Sequence, residues 1–123
     1  DGRRMLQAER EVFGATHADV GAYLLGIWGL HEVIVEAVAF HHEPLPTPQD
    51  NSRVLAAVHV ANVLDEEADR AVTGGIASEI SIEYLAGCHL DRRIPAWRET
   101  YCQAASPDGS PVVESSPSPS ARR

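Results

Sequence analysis

Lysine is missing from this sequence altogether, cysteine occurs twice and methionine once, and each shortage narrows what the chain can be. Ten basic residues, all arginine, stand against eighteen acidic ones, for a formal net charge of −8 over 123 residues. Binding to a phosphate backbone depends on a basic face, so nucleic acid is excluded as the expected partner. Cys88 and Cys102 lack the paired spacing of a metal site and read as reduced thiols, which points to the cytoplasm. No apolar run approaches the roughly 18 residues of a membrane span, because Gly and His interrupt every candidate, so no membrane association is expected. The opening DGRRMLQAER has no apolar core of a signal peptide. No useful stretch alternates with period two, which leaves an all-α fold of five to six helices. A Gly-rich phosphate loop and a Ser-His-Asp arrangement are also lacking, and Gly74-Gly75 reads only as a turn.

What is there centres on residues 17–44, HADVGAYLLGIWGLHEVIVEAVAFHHEP. Thr16 is placed to cap a helix, with Asp19 three residues on as its capping-box partner. Val20, Leu24, Ile27 and Trp28 recur at helical spacing as an apolar stripe. Gly21 and Gly26 interrupt it at a cost of about 1 kcal/mol each against alanine, which suggests close approach of a neighbouring backbone. After Gly29 a second helix follows with Leu30, Val33, Ile34, Ala37, Val38 and Phe40, apolar on more than one side. Pro44 stops it, which leaves His41 and His42 in the last turn.

An amphipathic helix is expected before this pair, over residues 3–13, with Gly14 ending it. Pro44, Pro46 and Pro48 make a stiff connection after it. Ser52 is placed to cap a helix from Arg53 to about Ala68, whose acidic run Asp65, Glu66, Glu67 and Asp69 sits at the wrong end of the dipole and predicts fraying near Asp65. A short helix is predicted over Ser81–Gly87, and a last one over residues 92–104 with Trp97 and Tyr101 on one face. Trp28 and Trp97 are expected as core anchors, and Asp65–Asp69 as a solvated face. From residue 106 the sequence is Ser- and Pro-rich with almost no apolar content, the composition of a disordered tail.

Four of the six histidines, His17, His41, His42 and His59, lie on or at the ends of consecutive expected helices. Imidazoles gathered with a carboxylate would suit a divalent transition metal. Two features oppose this. Glu43 is the nearby acid, with Asp19 and Asp50 less favourably placed, so the bridging carboxylate that holds two metals about 4 Å apart is wanting. His41 and His42 also point roughly 100° apart on a helix, so both reach one ion only if the helix unwinds before Pro44. The plainer reading makes these rings caps and core hydrogen-bonding groups, with His31 and His89 at the surface.

The pattern E-x-x-x-F-G-x-x-H-x-x-V-G-A-x-L-L-x-x-W-G-L followed by I-V-E-A-V-x-x-H-H-x-P runs from Glu9 through Phe13, Gly14, His17, Gly21 and Trp28 to His41, His42 and Pro44. It resembles the C-terminal half of an HDOD domain, the HD-related output domain of bacterial signalling proteins, over roughly residues 5 to 102. His31 departs from the pattern, which usually has proline there. The resemblance implies an HD-domain-like helical bundle, incomplete at the N-terminus, over residues 1–104, with 105–123 as the tail. It further implies a non-catalytic regulatory or protein-interaction unit in bacterial signal transduction, whose partners are other signalling domains or proteins. Self-association through an exposed apolar face is a third expectation, in a helical fragment that has lost packing partners.

In the related HD-GYP phosphodiesterases, positions similar to His17, His41 and His42 are metal ligands. This sequence departs from them in reading Pro-Leu-Pro-Thr-Pro after Glu43, and in carrying His59 and Asn62 where a pair of aspartates is expected. Lost carboxylates remove the charge that would hold a dinuclear centre and activate water. No cofactor is therefore expected beyond a residual divalent metal. The alternative is a degenerate metal-dependent HD-type phosphohydrolase acting on cyclic dinucleotides.

Overall fold

Caps and glycines set the helix boundaries. The computed structural model describes residues 2–45, 52–75 and 78–105, and the expected tail at 106–123 lies outside them. Six α-helices follow in order: α1 (Gly2–Phe13), α2 (His17–Ile27), α3 (Glu32–Phe40), α4 (Ser52–Thr73), α5 (Ile82–Gly87) and α6 (Ile94–Ala105), with a 3-10 turn at Asp91–Arg93 before the last. No strand occurs among the described residues, so the fold is all-α, an HD-like helical bundle. No described helix is long and apolar enough to cross a membrane.

Helix α2 begins as its sequence suggests. The Asp19 N–H donates to Thr16 Oγ1 at 3.1 Å and the Thr16 N–H donates to Asp19 Oδ2 at 2.9 Å, a reciprocal capping box. Its far end closes on Gly29 at φ +74°, where the Leu30 N–H reaches the Leu25 carbonyl and the Gly29 N–H reaches that of Gly26. This pair of bonds is a Schellman stop, whose left-handed residue favours glycine. Gly21 lets α2 lie close to α3, since a Cβ there would stand 3.1 Å from Val38 Cγ1. The neighbour it spares is thus a side chain rather than a backbone, and Gly26 faces open space.

Helix α3 packs between α2 and α4. The core gathers Ala37 of α3, Leu55, Ala56, Val60 and Leu64 of α4, Tyr84 and Leu85 of α5, and Leu90, with Trp97 and Tyr101 of α6 against it. Trp97 thus anchors the core as expected. Trp28 does not: it is 69 % exposed, and Tyr23 and Ile27 on the same stripe are 69 % and 62 % exposed. The side of α2 that faces α3 carries the small residues Ala18 and Gly21, so all its large apolar residues except the half-buried Leu25 point outward.

The acidic run does not break α4, which continues to Thr73. Tertiary partners hold it. Tyr101 Oη donates to Asp65 at 3.0 Å, the Ser78 N–H donates to Glu66 at 2.8 Å, and Arg98 grips Glu67 with both terminal nitrogens. These contacts come from 12 to 36 residues away, out of reach of a local dipole argument.

Candidate functional site: a three-histidine cluster

Three turns of local chemistry bring His17, His41 and His42 together. His17 is the first residue of α2, fixed by the Thr16 cap. Helix α3 ends at Phe40, and the chain bends over residues 41–43, so the adjacent rings of His41 and His42 escape the 100° divergence of a regular helix. Ring centroids stand 4.0 Å apart for His41 and His42, 4.8 Å for His17 and His42, and 5.7 Å for His17 and His41. One ring nitrogen from each lies within 4.8 Å of the other two.

Hydrogen bonds assign the tautomers. Glu9 of α1 receives both the His17 backbone N–H and His17 Nδ1, each at 2.9 Å. The backbone bond first, then the ring bond, holds the Glu9 carboxyl below its ordinary pKa. A carboxylate only accepts, so Nδ1 of His17 carries hydrogen. His41 Nδ1 lies 2.6 Å from the Val38 carbonyl and must likewise donate, which leaves its lone pair on Nε2. His17 Nε2 then meets His42 Nε2 at 2.8 Å. Two lone pairs cannot face each other at that distance, so a hydrogen lies between them, and when both rings are neutral it sits on Nε2 of His42. Burial first, then the neighbouring His41 and His17, pushes the His42 pKa down to about 4.

His59 lies apart from this cluster. It is 2 % exposed, and both ring nitrogens are engaged: Nδ1 donates to the His41 carbonyl at 2.7 Å and Nε2 accepts the Ser81 N–H at 3.0 Å. Burial lowers its pKa, outweighing the His41 carbonyl bond that raises it. A ring so committed has no lone pair for an ion. It fixes the His41 backbone to α4 and to the start of α5, and so positions the cluster from behind.

The motif residues serve the framework. Gly14, at φ +77°, ends α1, Gly21 seats α2 on α3, and Pro44 follows the bend that carries His41 and His42. Phe13 is exposed, as Trp28 is. Glu9 is the partner that sequence reasoning missed. It stood in the quoted pattern eight residues before His17, a separation whose meaning appears only when the turn at Gly14 brings Glu9 to the start of α2.

The donor set is three imidazoles, and among the described residues no carboxylate joins the group able to hold an ion. Ligands on a tetrahedral zinc at about 2.0–2.1 Å stand about 3.3 Å from one another, so the cluster fits a single borderline-soft divalent ion after small ring movements. It does not fit a carboxylate-bridged pair. Beside His42 lies a cavity of ≈ 160 Å³, lined among others by Leu6, Arg10, Asp19 and Phe40.

An all-helical HD-like bundle with a histidine cluster at the junction of its first three helices is the class these features define. Residues 1–44, which contain α1 to α3 and the whole cluster, match the family model of the HDOD domain. The match stops at Pro44, short of the residue 102 to which sequence reading extends the resemblance. No curated protein and no solved structure gave a match.

Proposed function

We propose that this chain is part of a bacterial cytoplasmic signalling output domain of HDOD type, which acts by contact with other signalling domains or proteins and performs no hydrolysis. The observation that carries the reading is the donor set. Hydrolysis by a metal pair needs a bridging carboxylate to hold the ions and stabilise the hydroxide between them. Here three imidazoles converge, and Glu9, the carboxylate hydrogen-bonded to them among the described residues, is spent on His17 Nδ1. The ≈ 160 Å³ cavity beside His42 is also well below the roughly 300–1,000 Å³ of small-molecule sites. The test is incubation of the purified chain with Mn(II) or Fe(II) and a cyclic dinucleotide, with product release followed by chromatography. No turnover above the metal blank is expected. Metal-dependent turnover lost in His41→Ala would establish the degenerate phosphohydrolase instead.

One observation favours a second reading, a single bound divalent metal without hydrolysis. Metal-ligating histidines almost always donate their other ring N–H to a carboxylate or carbonyl, and His17 to Glu9 and His41 to Val38 do so. When bound, the ion would clamp the start of α2 to the end of α3. His42 would contribute only after moving its hydrogen to Nδ1. Equilibrium dialysis against Zn(II) tests this: one ion per chain, lost in His17→Ala, supports it, and sub-stoichiometric uptake removes it.

A further inference from the structure

The outer face of α2 is the largest feature that the histidine site leaves unused. Val20, Tyr23, Leu24, Ile27 and Trp28 stand at i, i+3, i+4, i+7 and i+8, one stripe along one side of the helix. All five are exposed, from 42 % for Leu24 to 69 % for Tyr23 and Trp28. From these we infer that α2 is the contact between two copies of this chain, paired antiparallel about a two-fold axis near Leu24.

Charge favours a second copy. The chain carries a formal net charge of −8, yet no Asp, Glu or Arg occurs from Val20 to Leu30. Two acidic copies repel over most of their surfaces, and this stretch is where they can meet without opposing like charges. Shape favours it too. An antiparallel pairing centred on Leu24 sets Val20 of one copy opposite Trp28 of the other and brings Tyr23 beside the Leu24 side chains near the axis, so each aromatic ring meets an aliphatic side chain. A two-fold contact needs such self-complementarity, because the same patch serves both sides.

Area is sufficient. Two aromatic side chains of about 150–250 Å² each, mostly exposed, with three aliphatic ones, leave roughly 600 Å² of apolar surface on the stripe. That is at the upper limit of the patches monomers display, about 300–600 Å². Two copies together would bury about 1,200 Å², the lower bound of a specific interface. The contact is therefore a weak, reversible dimer that involves none of the three cluster histidines.

Sedimentation velocity on the full chain across a hundredfold concentration range tests it, alongside Trp fluorescence. A monomer–dimer equilibrium is expected, with a blue shift of emission on association as Trp28 leaves water. Ile27→Glu, which puts a carboxylate into the apolar stripe of each copy, should abolish both signals, and Trp28→Ser should weaken the dimer at least tenfold. Val72→Glu, at a still more exposed apolar position near the end of α4, should leave the dimer unchanged, and circular dichroism checks that each variant folds. A wild-type chain that stays monomeric, oligomers larger than two, or a dimer that survives Ile27→Glu each overturns the proposal.

Discussion

Two regions of this molecule use the same residue types in opposite ways. Around α4 and α5 large apolar side chains fill the core: Leu55, Val60, Val63 and Leu85 are fully buried. On α1 and α2 Leu6 and the small Ala18 are inside while most of the large apolar side chains face out, with Phe13 at 78 % and Trp28 at 69 % exposure. His59 and the His17, His41, His42 cluster repeat the contrast with polar groups. His59 is buried with both nitrogens bonded, whereas the cluster rings meet one another at the edge of the bundle. The first region holds the core, and the proposed contact lies in the second. The histidine that sequence spacing groups with the other three belongs, in space, to the first.

The contrast can be broken most sharply in the core. Leu85→Ala removes a fully buried side chain between α4 and α5 and should cost about 3 kcal/mol in urea unfolding. Next comes His59→Ala, which strips the His41 carbonyl and the Ser81 N–H of their partner and should cost about 2 kcal/mol. His59 also gives the fold a pH slope. Its folded pKa lies below the unfolded value of about 6.5, so the unfolded chain binds the proton first as pH falls. The stabilisation is complete above pH 6.5 and is lost progressively below it, towards the folded pKa. Melting temperatures across that range should fall less steeply in His59→Ala than in the parent chain. At the other extreme, Ile27→Ser on the exposed stripe should change the stability of the dilute monomer by no more than about 0.5 kcal/mol. A loss of 2 kcal/mol there would show that α2 is packed like α4.

These expectations separate what local sequence encodes from what it does not. The Thr16 and Asp19 cap, the stop at Gly29 and the helix from Ser81 to Gly87 are local hydrogen-bonding patterns, and all are visible in the chain. So is the choice of helices throughout. The outward turn of Trp28 is not local: it follows from which side of α2 meets α3, and Gly21 decides that through Val38. The acidic end of α4 reads as a fraying terminus until Tyr101, Ser78 and Arg98 arrive from distant elements. At the site, the convergence of His17 with His41 and His42 depends on α3 ending before His41, which Pro44 only hints at. Glu9 acquires its role across a glycine turn, and His59 loses its presumed one because Ser81, 22 residues away, occupies its lone pair.

The tautomers of the histidine rings test the central claim most directly, because they report which nitrogens are committed to the protein and which face the cluster. Long-range proton–nitrogen correlation NMR at pH 8 should place hydrogen on Nδ1 in His17, His41 and His59 and on Nε2 in His42. Nε2–H tautomers at His41 and His59 would contradict both the convergent cluster and the buried strut behind it.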